Sequence, residues 1–145
     1  MASRTRGSYA YVIGQKDYVT VPNISTTVAL GFGLVLTPRR TGVVLVSSFS
    51  YVSTADGNGV DGQVFLNYGT TFPSPALGDP VSGIPASRVH TSTGNSTIIS
   101  YVTTFILVEG LTLGVPVWFD VAARAFSGTA AMGFIHPTLT AWEIG

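Results

Sequence analysis

The strongest constraint on this chain is two-residue alternation of apolar side chains. It recurs along most of the length and never gives way to a spacing of three and four. From Thr97 to Val108, Ile98, Val102, Ile106 and Val108 share one face with Ser100 and Thr104, and Ile99, Tyr101, Phe105 and Leu107 take the other. Both faces are apolar, which suits a strand covered on both sides. Between 28 and 36, Val28, Leu30, Phe32, Leu34 and Leu36 alternate with Ala29, Gly31, Gly33 and Val35. From 43 to 54, Val43, Leu45, Phe49 and Tyr51 oppose Val44, Val46 and Val52. Helix formers are scarce, with one Lys and two Glu against 18 Val and 18 Thr. β-Branched and aromatic residues fit the pleated, half-buried surface of a sheet. The chain reads as all-β.

Turn residues divide the pattern into seven to nine short strands, the signature of a β-sandwich or jelly roll. Pro38 to Gly42 turns the chain after the first apolar strand, and Asp56-Gly57-Asn58-Gly59 is a hairpin signal. Further strands are expected at 63–68, 115–126, 130–135 and 139–144. The stretch Gly69–Asn95 has no period and holds Pro73, Pro75, Pro80 and Pro85, so it is expected to be a long loop. Its apolar content implies order, against the sandwich or across a subunit boundary. Phe72, Leu77 and Ile84 are the candidate contact residues, with Arg88 and His90 at the polar rim. One jelly-roll-like antiparallel domain is expected over 16–145. Residues 1–15 are expected to form a short N-terminal arm that docks on a neighbour through Arg4, Arg6, Tyr9 and Tyr11, the alternative being an ordinary first strand of the domain itself.

Composition removes most chemistries. Charged residues make up 10% of the 145, against about 25% in ordinary soluble chains. Seven Lys and Arg balance seven Asp and Glu, without the clustered basic excess of a nucleic-acid binder. There is no cysteine, no apolar run near the length of a membrane span and no secretory signal at the start, so synthesis in a cytoplasm is expected. His90 and His136 are isolated from each other and from carboxylates in sequence, and no G-x-S-x-G elbow or phosphate-binding glycine loop occurs. Asp120 and Glu143 fall in strands. Asp56, Asn58 and Asp61 imitate the start of a calcium loop. Val60 takes the third alternate position, no glutamate follows, and a turn needs the same residues without a cation. No catalytic residue, cofactor or metal is expected. A surface this poor in charge suits a chain that other subunits cover, so a homo-oligomer is expected.

From Lys16 onward the chain resembles the small jelly-roll virion proteins of tailed bacteriophages, which are similar to the C1q and tumour-necrosis-factor heads. Four stretches carry the resemblance: Asp17 to Asn23 as an opening strand, Pro38 to Val46 as turn and strand, Gly110 to Val117 as a connection, and Ser127 to Ala130 with Leu139 to Ile144 as the closing hairpin. The resemblance implies a homotrimer on a virion, on the capsid surface or the tail, with the major capsid protein or another virion protein as partner. No collagen-like or coiled-coil stalk precedes the domain, which points to a free-standing decoration or cement protein. The alternative is a receptor- or glycan-binding head of a tail fibre or spike, using the 69–95 loop. Neither nucleic acid nor membrane is expected as a partner.

Overall fold

The computed structural model describes residues 9–21, 26–54, 60–81, 83–93, 100–127 and 131–145. The described residues contain ten strands: β1 Tyr11–Gln15, β2 Tyr18–Val21, β3 Val28–Ala29, β4 Leu34–Leu36, β5 Val44–Thr54, β6 Val60–Gly69, β7 Ile84–Thr93, β8 Ser100–Val108, β9 Val117–Ser127 and β10 Met132–Glu143. They form two antiparallel sheets. Sheet A runs β1-β10-β5-β8, with β2 continuing the line of β1 along β10. Sheet B runs β3-β9-β6-β7, with β4 continuing the line of β3 along β9. The two sheets form a jelly-roll sandwich.

Alternation places the core. Val44, Val46 and Val52 of β5, Val102 and Val108 of β8, and Phe134, Leu139 and Ala141 of β10 point in from sheet A. Val64 and Leu66 of β6 and Val117, Phe119, Val121 and Ala123 of β9 meet them from sheet B. Burial of that apolar surface, at about 25 cal/mol per Å², is the main drive to fold. One polar pair sits inside, where the hydroxyls of Ser48 and Thr104 hydrogen-bond at 2.6 Å across β5 and β8.

Four expectations are corrected. Tyr11–Gln15 are no arm, because they pair in register with Trp142 to Thr138 of their own chain; the domain therefore begins before residue 16. The 28–36 alternation does not make one strand. It is broken at 30–33, where Gly31 at φ 71° lets the chain leave the sheet beneath the backbone of Leu77. The long loop is shorter than expected, since Ile84–Thr93 pair with β6 as an edge strand. Pro85 is tolerated there at a register shift opposite Asn67. Finally, 130–135 and 139–144 belong to one strand, β10, bulged between Ile135 and Thr138, with His136 in the left-handed region at φ 48°. The hairpin at 55–59 and the arm residues Arg4 and Arg6 lie outside the described residues.

At one end of the sandwich a carboxylate organises the chain. Glu143 is fully buried. Its oxygens accept the backbone N–H groups of Arg39, Arg40 and Thr41 at 2.7 to 3.0 Å, of Ala10 at 3.2 Å and of Gly42 at 3.4 Å. Burial alone raises its pKa. The donors, Thr41, Arg40, Arg39 and Ala10, outweigh that and lower it from 4.5 to about 2. The 38–42 turn so held also takes the N–H of Leu111 on the Gly42 carbonyl and that of Gly114 on the Pro38 carbonyl. A carboxylate with a depressed pKa stabilises the fold fully above its unfolded value and loses that contribution as pH falls through the folded one. Stability carried by Glu143 is therefore expected to fade between pH 4.5 and about 2. Glu143→Gln should cost about 3 kcal/mol at pH 7, by stranding buried N–H donors, and should flatten this acid limb. Urea unfolding of both proteins at pH 7 and pH 3 checks it.

Candidate functional site

The outer face of sheet A is uncharged from edge to edge. Four cross-strand rows traverse it: Tyr11–Trp142–Leu45–Leu107, Ile13–Thr140–Ser47–Phe105, Gln15–Thr138–Phe49–Thr103 and Tyr18–Ile135–Tyr51–Tyr101. No Asp, Glu, Lys or Arg occupies any of these positions. Tyr101 is 71% exposed and Phe105 70%, and Tyr11, Ile13, Tyr18 and Trp142 are each more than half exposed. The rings are already in contact: Phe49 meets Tyr51 edge-on at 5.1 Å, Tyr51 meets Tyr101 at 5.1 Å, and Tyr11 meets Trp142 edge-on at 6.5 Å. A patch of aromatic side chains this continuous is the mark of an interaction surface. The strand expected to be covered on both faces, 97–108, contributes β8 to it, and among the described residues that face is open.

Sheet B is different. Its outward row on β9, Trp118, Asp120 and Ala122, is buried, although no second sheet covers it. The chain covers it itself, with the loop after Gly69 over Trp118 and the 30–33 excursion over Asp120. Trp118 donates its indole N–H to the Thr71 carbonyl at 2.8 Å. The loop leaves the sheet at Gly69 and returns at Gly83, and a Cβ at either would strike the Trp118 ring, at 2.6 and 2.4 Å respectively. Ala29 donates its N–H to the Asp79 carbonyl of the loop and accepts that of Gly78. The outer face of β9 is thus buried by its own chain.

Asp120 sits under this cover. Its carboxylate accepts the N–H groups of Gly31 at 3.1 Å, Phe32 at 2.9 Å and Val121 at 2.7 Å, which ties the 30–33 excursion to the sheet. Burial is the largest influence and raises its pKa from 3.8 to about 6, against those three donors and the charge of Lys16. Beside it in register, Asn67 is 1% exposed, and neither Nδ2 nor Oδ1 has a hydrogen-bond partner. An unpaired buried amide costs about 1–3 kcal/mol.

The sequence-derived candidates scatter. Tyr9 and Tyr11 help line a groove of about 390 Å³ between β1 and β4, with Val35 and Arg39 on its other side. The Tyr9 hydroxyl donates to the Gly145 carbonyl at 2.7 Å, and the Arg40 guanidinium lies 5.3 Å from its ring centre. Phe72 and Leu77 are exposed on the loop, and Ile84 is exposed at the start of β7. Arg88 and His90 fall in β7 opposite Phe65 and Gln63, away from any loop rim; their side chains are outside the described residues. Asp56 and Asn58 also lie outside them, and Asp61 is placed only as a β6 position paired with Ser92 and Ser127. Among the described residues no group of three His, Asp or Glu could hold a metal ion. The open face of sheet A and the orphan Asn67 went unseen in the sequence. The first needed strand order, and the second needed to know that Gly69 and Gly83 bracket a lid.

The raised pKa of Asp120 has a defined sign. Between 3.8 and about 6 the folded chain holds this proton more tightly than the unfolded chain does. The contribution of Asp120 to stability is therefore full below 3.8 and lost as pH rises through 6. Unfolding midpoints at pH 5 and pH 7 should differ in that direction more in the parent than in Asp120→Asn. Equal differences in both would refute the assignment.

No family model matches the chain, and no curated protein matches it. Among solved structures, the Eiger TNF from S. frugiperda is similar, with a TM-score of 0.47 and 10% identity, covering 93% of each chain. A likeness at that level says nothing of function or assembly.

Proposed function

We propose that the protein is a non-enzymatic structural subunit that works as a homotrimer, with sheet A of each copy turned toward the other two. The uncharged aromatic face of sheet A carries this reading. It presents large side chains at the positions where a free-standing domain needs polar groups, and its charge-free rows meet a second copy without stranding an ion. Closed cyclic symmetry lets one surface serve every copy and leaves no apolar edge for open-ended growth. Sheet B, covered by the 70–83 loop, then faces outward.

The setting we propose is a virion, on the capsid surface or the tail. The support is the resemblance of residues 17–23, 38–46, 110–117 and 127–144 to phage jelly-roll virion proteins, together with a charge content that suits a subunit held in an assembly. The major capsid protein or another virion protein is the proposed partner, and the host cytoplasm the proposed site of synthesis.

Light scattering on the purified protein should give three times the 15.2 kDa of one chain. Tyr101→Glu combined with Phe105→Glu should give a folded monomer, because the charges would be buried unpaired at the contact while an isolated chain exposes them to water. A parent protein that stays monomeric at micromolar concentration would end the trimer reading. Immunogold labelling of purified particles tests the virion setting, and particles without label would end that part.

A further inference from the structure

The unpaired amide of Asn67 is not alone. It lines a cavity of about 260 Å³ on the outer face of sheet B, together with Thr27, Phe65, Val81 and Gly83. None of these is charged. Phe65 and Asn67 are successive outward positions of β6, between Val64 and Leu66, which point into the core. Across the strand, the Asp120 oxygens are taken by backbone donors, and Asn67 has no bond to them. Native proteins seldom leave both ends of a buried amide unmet, and a local rule broken in this way is most often broken at a functional site. A dry cavity of about 150 Å³ already admits benzene, so this one has room for a substituted six-membered ring.

We propose that this cavity binds a neutral sugar ring, a hexopyranose unit of a glycan. The amide of Asn67 offers two donors and one acceptor, and a sugar hydroxyl or acetamido group both donates and accepts. Phe65 supplies an aromatic wall for the C–H face of the ring, and the hydroxyl of Thr27 is a further polar contact. A sugar carries hydroxyls around its whole rim and can meet Asn67 and Thr27 together. A nucleobase confines its donors and acceptors to the edge of one plane. Gly83 stands over the amide, since a Cβ there would lie 2.6 Å from Asn67 Oδ1, so a ring that bonds Asn67 displaces Gly83 outward. The site lies on the sheet opposite the proposed subunit contact and does not depend on it. In a trimer it would be presented three times, which converts weak single-site binding into avidity.

The test is a titration of the ¹⁵N-labelled protein with glucose, galactose, mannose and N-acetylglucosamine, with adenosine and uridine as a comparison arm. At least one sugar should give saturable shifts centred on Phe65, Asn67, Val81 and Gly83. Asn67→Leu, close in size and apolar, should weaken binding by about tenfold or more and at the same time raise the thermal midpoint, because it relieves a desolvated amide. Phe65→Ala, which leaves Asn67 in place, should weaken the same shifts. The proposal is overturned by no sugar response at millimolar concentration, by binding that survives Asn67→Leu, or by a response to nucleosides alone. A lowered midpoint in Asn67→Leu would also overturn it, by showing that the amide has a structural partner. Light scattering on the same samples reads the trimer separately, so failure of one reading leaves the other standing.

Discussion

A single carboxylate, that of Glu143, joins what the two sheets would otherwise leave apart. The 38–42 turn links β4 of sheet B to β5 of sheet A, and its N–H groups converge on the Glu143 oxygens at the end of β10. The same turn receives the 109–116 connection through the carbonyls of Pro38 and Gly42. A buried ion is ordinarily a liability. Here backbone dipoles replace the lost water, so the charge is solvated by the turn it fixes. Remove that anchor and β5 stays paired with β10 and β4 with β9, but the turn between them loses its fixed place against the end of β10.

The two outer faces resolve the same shortage of charge in different ways. On sheet B, the chain folds a proline-rich loop over Trp118 and the 30–33 excursion over Asp120, and so provides its own cover. On sheet A no such loop occurs among the described residues, and the aromatic rows stay open there. Low charge is therefore a neutral fact about composition until the position of the loop is known. Once it is, the two faces separate into one already satisfied and one in need of a neighbour.

Much of this was legible in the sequence, and the gaps have physical causes. The alternation at 43–54 and 97–108 sorted Val44, Val46 and Val52, and Val102 and Val108, onto single faces, because side-chain period depends only on local backbone; that these faces are the inward ones came from the sheet packing. The alternation at 28–36 misled, because the 30–33 excursion is held by Asp120, a residue far along the chain. Pro85 argued for a loop, and only the edge position of β7 makes it acceptable in a strand. The bulge at His136 falls where β2 gives way to β1 along β10, and its one local trace is Pro137, which cannot donate to a ladder. The candidate sites suffered most. An orphan amide is defined by what fails to surround it, and periodicity cannot report that.

The placement of β10 has a consequence for how the chain reaches this state. It is an interior strand of sheet A, between β1 and β2 on one side and β5 on the other, and Ala10 bonds to a residue 133 positions away. While a ribosome is still making β10, sheet A has only its outer pieces. The pair β5 and β8 can form, but β1 and β2 have nothing to pair with. The aromatic residues Tyr11, Tyr18, Tyr101 and Phe105 are then exposed on a nascent chain with open strand edges. Such long-range pairing folds slowly and runs the risk of wrong association before the right one. The strand that completes the sheet thus also sets the clock, and the interval before it arrives is when this chain is most in need of protection.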